Sequence, residues 1–227
     1  MKRQHVANTA AYAIAITFAL LLGLSLELRV SAFGEPDLLT RRIKATAIKG
    51  ETIDQVLGRL PEYGIPAGIE VGDEKLTPRR QINLDLPETN LKDFLDSVVA
   101  KDPRYTWKVE GGVVHLWPVK GRDTLVTSLL DVKVSHFAII GDSSRYAIFN
   151  DIMNLPEIRS QLVIAGVDPL IFLNSGSMRR LGKETTFSET NVTLRELLDK
   201  IVVQTEIKQW VIIRWGKNNE YITLRSG

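Results

Sequence analysis

Apolar residues recur with the period of a helix at two places that lie 103 positions apart. At each place they follow the spacing i, i+3, i+4, i+7, i+8, which puts their side chains on one face of a helix. The first set is Leu91, Phe94, Leu95, Val98 and Val99, and the second set is Leu194, Leu197, Leu198, Ile201 and Val202. Both sets predict a helix with one buried face.

The residues that flank these two helices match as well. A capping pair, which is a polar side chain followed three positions later by an acid, precedes each helix and predicts where it begins. These pairs are Asn90 with Asp93, and Thr193 with Glu196. The same offset relates Asp96 to Asp199 and Trp107 to Trp210. Together the caps, the acid and the tryptophan indicate an internal duplication.

Alternating apolar residues predict strands on both sides of each helix. In the first half the predicted strands are residues 41–48, 65–71, 82–86, 105–109 and 113–117. In the second half they are residues 132–140, 166–172, 185–187, 210–215 and 221–224. Further helices are predicted after the capping box of Thr52 and Gln55, and near Ser143. Each half therefore has the order β-α-β-β-α-β-β.

This order predicts an α+β fold with two tandem modules, at residues 41–118 and 125–227. We expect each module to hold a small sheet with two helices on one face. The stretch Pro118–Thr124, which contains Gly, Lys, Arg and Asp, is the predicted boundary between the modules.

Residues 1–32 have the pattern of an export signal. Met1–His5 is basic, Ala10–Leu26 carries no charge, and Val30–Ala32 offers small residues at a cleavage site before Phe33. An uncleaved membrane anchor is the alternative, because the apolar stretch is long enough to span a bilayer. The small residues favour cleavage. Both interpretations place the body outside the cytoplasm, either in the periplasm or anchored in the inner membrane.

Charge and composition exclude several classes of function. The chain is 44% hydrophobic and 25% charged, which is typical of a globular protein. Of its 29 basic and 27 acidic residues, three and one lie in residues 1–32, which leaves 26 of each. A neutral body argues against binding to nucleic acid, and against membrane contact beyond the N-terminal segment. The absence of cysteine excludes disulfides and thiolate metal sites.

One stretch resembles the start of a catalytic site. A strand that ends in Gly141-Asp142-Ser143 is similar to the nucleophile motif of GDSL-type esterases. That chemistry needs a histidine base after the serine, and no histidine follows His136. A helix cap at Asp142 or Ser143 is therefore favoured, and an envelope serine hydrolase centred on Ser143 is kept as an alternative.

Other candidate ligands lie on predicted strands and hairpins. His115 and His136 have no second histidine at a metal-ligand spacing, so we predict no metal site. The tryptophans on the hairpins are Trp107, Trp117, Trp210 and Trp215. Cross-strand packing is favoured for them, and a ligand-binding domain that uses these hairpins is a further alternative. No phosphate loop is present, and we predict no cofactor.

Two segments carry a family resemblance. Gly50–Leu57 and Asn90–Asp96 resemble the short N-terminal module of secretins and TonB receptors, and Thr193–Asp199 with the last hairpin repeats part of that match. The resemblance implies non-catalytic α+β domains in the bacterial envelope that dock onto partner proteins. The sequence departs from the larger family members because it holds no barrel or secretin ring segment, so we expect neither transport nor pore formation.

The resulting hypothesis is an adaptor or sensor that captures an envelope protein by strand addition. Small open sheets leave unpaired backbone groups at their edges, and partners bind there by adding a strand. We predict that the exposed strands lie at Ile65, Ile69 and Val71 in the first module and at Ile171 and Phe172 in the second.

Overall fold

The computed structural model of the chain describes residues 35–72, 79–141, 143–169, 181 and 185–226. Its helices and sheets confirm the α+β class. The predictions for residues 1–32, for Asp142, and for Ile171 and Phe172 lie outside the described residues.

The helices and strands are numbered in chain order. Helices α1 to α7 span Glu35–Leu39, Ile53–Leu57, Leu91–Lys101, Thr124–Leu130, Arg145–Met153, Pro156–Ala165 and Leu194–Gln204, and a 3₁₀ helix spans Leu60–Tyr63. Strands β1 to β12 span Arg42–Ile43, Thr46–Glu51, Ala67–Val71, Ile82–Leu86, Thr89–Asn90, Tyr105–Glu110, Val113–Pro118, Lys133–Ile140, Asp168–Pro169, Thr186–Thr193, Gln209–Trp215 and Tyr221–Ser226. Across the described ranges, no helix combines the length and the apolar character that crossing a membrane requires.

The two helices of the repeated pattern begin where their caps predict. The side chain of Asn90 accepts the amide of Asp93 at the start of α3, at 2.8 Å. Thr193 and Glu196 form a reciprocal capping box at the start of α7. The predicted apolar faces are buried, except that Val99 is only half-buried. Local periodicity and capping thus determine both helices.

The second half contains helices and strand residues beyond those predicted. α4 follows the predicted boundary and is capped by Asp123, whose carboxylate accepts the amides of Leu125 and Val126. α6 begins at Pro156, whose fixed φ suits a first helical turn. The cap of α5 is Ser144, which accepts the amide of Ala147 at 3.1 Å, so the predicted cap at Ser143 is wrong by one residue.

Strands of the two halves form one six-stranded sheet instead of two separate ones. Its order is β6-β7-β3-β11-β12-β9. β3, from the first half, pairs in parallel with β7 on one side and with β11, from the second half, on the other. Each half contributes a hairpin and one more strand in the same order. The hairpin β6-β7 is followed by β3, and the hairpin β11-β12 is followed by β9.

The helices of the two halves cover opposite faces of this sheet. Successive residues of a strand point to opposite faces. On β11, Val211 and Ile213 pack in the core that contains α3, whereas Trp210 and Ile212 pack in the core that contains α7. The shared sheet therefore has a core on each side.

Outside this sheet, corresponding strands pair in the same register. In the first half Arg42 of β1 lies opposite Asn90 of β5. In the second half Lys133 of β8 lies opposite Thr193 of β10. The next backbone contact also recurs, because the amides of Leu91 and Leu194 donate to the carbonyls of Arg41 and Val132, each at 2.8 Å.

Candidate functional site

The contact between β3 and β11 is built on a tryptophan that lies against a glycine. Trp210 of β11 is fully buried and stands opposite Gly68 of β3. A Cβ atom on Gly68 would lie 2.3 Å from Cζ2 of Trp210, far inside van der Waals contact. Glycine lets the indole approach the neighbouring strand this closely.

Two residues along β3, the buried carboxylate of Glu70 is held by two arginines. Arg122 donates Nε to Oε2 at 2.7 Å and Nη2 to Oε1 at 2.6 Å. Nη1 of Arg195, near the start of α7, lies 2.8 Å from Oε1. The hydrogen bond to Glu70 raises the pKa of Arg122 above its ordinary value. Paired in this way, a buried carboxylate is tolerated, and α7 is tied to a strand of the first half.

Asp199 makes a second connection between α7 and the sheet. Its Oδ1 accepts the indole Nε1 of Trp210 at 2.9 Å, and its Oδ2 lies 3.3 Å from Nε2 of His115 on β7. The rings of His115 and Trp210 also pack together, with centroids 6.0 Å apart. Asp199 therefore orients the tryptophan that fills the β3–β11 contact.

Corresponding residues are present at β6, the strand at one end of the sheet. Trp107 of β6 donates its Nε1 to Oδ1 of Asp96 on α3 at 3.1 Å. This is the bond that Trp210 makes to Asp199, and the two pairs are 103 positions apart. β6 and β11 thus share one feature: each has a tryptophan whose Nε1 donates to an aspartate of the helix that packs on it, α3 for β6 and α7 for β11.

What differs between the two places is exposure. We define the open face as Lys92, Asp96, Val99 and Trp107, whose counterparts at the β3–β11 contact are Arg195, Asp199, Val202 and Trp210. The side chains of Lys92 and Asp96 are 57% and 49% exposed, against 23% for Arg195 and 22% for Asp199. Val202 and Trp210 are fully buried, whereas Val99 and Trp107 are half-buried. Every member of the open face is more exposed than its counterpart.

The backbone of β6 explains this difference. Hydrogen-bonded and non-hydrogen-bonded pairs alternate along antiparallel strands. The carbonyl of Arg104 accepts the amide of Val119. Thr106 and Lys108 lie two and four positions further along β6, so their amides and carbonyls are also hydrogen-bonded to β7. The amides and carbonyls of Trp107 and Val109 then point away from the sheet. In the part of the chain that the structure describes, no strand pairs with this side of β6.

Comparisons with known proteins add no family to this description. The sequence matches no protein-family model, and no curated protein is detectably similar to it. Function is therefore inferred from the geometry of β6 and the open face.

The strand that was expected to offer a free edge in the first half does not have one. β3 is hydrogen-bonded to strands on both sides, and the side chains of Ile65, Ile69 and Val71 are buried in the core. The prediction that Ile65–Val71 is an exposed edge is wrong, because β11 occupies that edge. Its counterparts Ile171 and Phe172 lie outside the described residues.

The four hairpin tryptophans have different surroundings. Trp117 lies under the guanidinium of Arg122, 5.8 Å from the ring centroid. Trp215 packs against Tyr221, with ring centroids 5.0 Å apart, and donates Nε1 to the hydroxyl of Thr223 at 2.9 Å. Trp210 is interior, whereas Trp107 lies on β6, the strand at the end of the sheet, whose outer side pairs with no strand among the described residues.

The predicted catalytic and metal-ligand candidates lie apart from β6. Ser143 Oγ donates to the carbonyl of Gly141 at 3.3 Å, next to the cap of α5. His136 is exposed on β8, whereas His115 is buried beside Asp199. Over the described ranges, no group of three or more His, Asp or Glu side chains is arranged to hold a metal ion.

A cleft of about 310 Å³ lies on the face of the sheet opposite to α3. Its lining includes Lys108, His115, Trp117, Arg122 and Arg195. Both arginines already pair with the carboxylate of Glu70. Glu110 and Asp131 also line the cleft, so together with Glu70 three carboxylates balance the charges of Lys108, Arg122 and Arg195. The cleft therefore belongs to the contact between the halves instead of forming an anion site.

Three members of the open face were not among the predicted site residues: Lys92, Asp96 and Val99. The signal for them is the matching sequence pattern, since Arg195, Asp199 and Val202 lie 103 positions further on. The sequence pattern alone does not identify these residues as a site, because it cannot show that they are exposed while their counterparts are buried.

Proposed function

We propose that this chain is a non-catalytic adaptor of the bacterial envelope that binds a partner protein through β6 and the open face. The pairing of β11 with β3 carries the proposal. At β11, this pairing covers the surface that corresponds to the open face. At β6, no strand covers the open face in the described part of the chain.

The proposal includes a tandem duplication of modules that resemble the short N-terminal module of secretins and TonB receptors. The repeated Trp–Asp hydrogen bonds, the capped helices and the shared register of the small ladders support it. In this proposal the modules at 41–118 and 125–227 are joined through β3 and β11, and the N-terminal segment directs export.

Strand addition at β6 has a clear physical basis. The outward amides and carbonyls of Trp107 and Val109 supply main-chain hydrogen bonds, while the side chains above them supply specificity. Half-buried Val99 and Trp107 offer apolar area that a partner strand would cover. The rim of the same surface is charged, because Lys92 and Asp96 lie beside them.

Photo-crosslinking in living cells tests this proposal. A photo-reactive residue replaces Lys108, which is exposed on β6, and a matched one replaces His136, which is exposed on β8. We expect an adduct with one envelope protein at Lys108 and none at His136. A Val99→Asp variant should remove the adduct, because it places an unpaired charge in the open face.

The control for that variant is Val203→Asp. Val203 is 42% exposed on α7 and lies outside the open face, so this change should leave the adduct in place. Equal adducts at Lys108 and His136, or an adduct that survives Val99→Asp, would contradict the proposal.

A further inference from the structure

We propose that the partner strand runs parallel to β6 and carries the pattern Gly-x-acid, with the glycine opposite Trp107 and the acid opposite Val109. This inference rests on the proposed function and specifies the chemistry of the partner. Its template is the strand that already occupies β11, where Gly68 lies opposite Trp210 and Glu70 opposite Ile212.

The requirement for glycine follows from the indole. At β11 a single added Cβ would approach the Trp210 ring to 2.3 Å, and the ring is held in place by Asp199. Trp107 is held by Asp96 through the same bond. A parallel strand that pairs with β6 in the same register must therefore pass over Trp107 with a residue that has no side chain.

The requirement for an acid follows from the helix above β6. Arg195 is the second residue of α7 and pairs with Glu70 of the bound strand. The second residue of α3 is Lys92, which lies at the corresponding position and pairs with the exposed Asp96 at 2.7 Å. A partner carboxylate opposite Val109 would correspond to Glu70, which lies opposite Ile212. It would pair with Lys92 as Glu70 pairs with Arg195.

The residue between the glycine and the acid is not specified by this chain. Because side chains alternate along a strand, it points to the face opposite α3. The template residue, Ile69, is buried in the first-half core for this reason.

Within the described residues, a second copy of the chain offers no free strand with this pattern. Its Gly68 and Glu70 are already paired within the β3–β11 contact. In the other two Gly-x-acid runs of the described residues, Gly121–Asp123 and Gly166–Asp168, the glycine has a positive φ and lies outside the strands. Counting from Gly166, which ends α6 as Gly64 ends the 3₁₀ helix, the second half has Leu170 and Phe172 at these positions. The expected occupant is therefore a different protein.

Peptide titration of the isotope-labelled chain, followed by NMR, tests the pattern. The probe is a synthetic copy of residues 63–72, which contains Gly68 and Glu70. We expect it to shift the amide signals of Trp107 and Val109. A Gly68→Leu peptide should bind about tenfold more weakly or worse, because the added side chain collides with the indole.

A charge exchange tests the second requirement. A Glu70→Lys peptide should bind the parent chain about threefold more weakly, and a Lys92→Glu variant of the chain should restore its binding. The fold of each variant is checked by its own NMR spectrum. The rescue is the decisive result, because a structural effect of either change alone cannot produce it.

Three results would overturn the inference. They are equal binding of the parent and Gly68→Leu peptides, shifts at a strand other than β6, and no binding of the parent peptide up to about 1 mM. If crosslinking at Lys108 still captures a partner in any of these cases, the adaptor stands and the Gly-x-acid pattern fails. If crosslinking also fails, both proposals fail.

Discussion

At the scale of single residues, the contact between β3 and β11 depends on the close approach of Trp210 to Gly68. The indole is fully buried and fixed by Asp199, so it cannot move aside for a larger neighbour. The strand that carries Gly68 also supplies Glu70 to Arg195. One glycine thus permits both the close approach and the ion pair.

We predict that Gly68→Ala destabilises the protein by about 1–3 kcal/mol, because the new methyl group would collide with the Trp210 ring. Urea unfolding followed by circular dichroism measures the loss. In a Trp210→Phe background, which lacks the atoms nearest to the new Cβ, the same change should cost less. An equal cost in both backgrounds would show that the indole is not the obstacle.

The two Trp–Asp hydrogen bonds should differ in strength. Asp199→Ala leaves the Nε1 of a fully buried tryptophan without its acceptor, whereas after Asp96→Ala water can reach the half-buried Trp107. We expect Asp199→Ala to cost about 1–3 kcal/mol and Asp96→Ala about 1 kcal/mol or less. Paired urea melts compare them, and a larger loss for Asp96→Ala would contradict the assignment of covered and open copies.

At the scale of secondary-structure elements, the start of α7 depends on a charge. The carboxylate of Glu196 accepts the backbone amide and the hydroxyl of Thr193. These bonds, the backbone one first, lower the pKa of Glu196 below its ordinary value. They favour the ionised carboxylate, so this stabilisation is complete above the pKa of the unfolded chain and is lost as the pH falls through the lowered folded value.

We therefore expect acid to destabilise the parent chain more than a Glu196→Gln variant. The difference should develop below about pH 4.3, the ordinary pKa of a glutamate. Urea midpoints between neutral pH and pH 3 measure it, since glutamine keeps an acceptor oxygen without titrating. Parallel curves for the two proteins would mean that the cap does not contribute to acid stability.

Elements with local signals were predictable, and others were not. The caps and apolar faces of α3 and α7 depend on neighbours within a few positions, so the sequence predicts them. In α6 the exposed residues Val163 and Ile164 follow the buried Leu162 and obscure the helical period. β10 carries a polar run after Phe187, so the short predicted strand misses most of its eight residues.

The candidate site was harder to predict because an edge is a property of the whole sheet. The composition of Ile65–Val71 does not distinguish a strand inside a sheet from a strand at its edge. Whether it is free depends on β11, which comes far later in the chain and pairs with it in parallel. The matched Asp and Trp residues were visible in the sequence, but their different exposure follows from strand order.

At the scale of the whole molecule, one contact surface occurs twice and is covered once. The second half covers its copy with β3, and the first half leaves Trp107 and the open face uncovered in the described part of the chain. Joining the halves through one sheet holds β6 on a rigid scaffold, which reduces the entropy lost when a partner strand binds. The central claim is that β6 is an open edge built to accept such a strand.

Amide hydrogen exchange of the free chain, measured by NMR, tests this claim most directly. The amides of Trp210 and Ile212 lie on the side of β11 that pairs with β3 and should be protected, because Lys208 accepts from Ala67 and the pattern alternates from there. Those of Trp107 and Val109 should exchange at least about tenfold faster, and saturation with the peptide of residues 63–72 should slow them. Protection of Trp107 and Val109 in the free chain equal to that of Trp210 and Ile212 would contradict the claim.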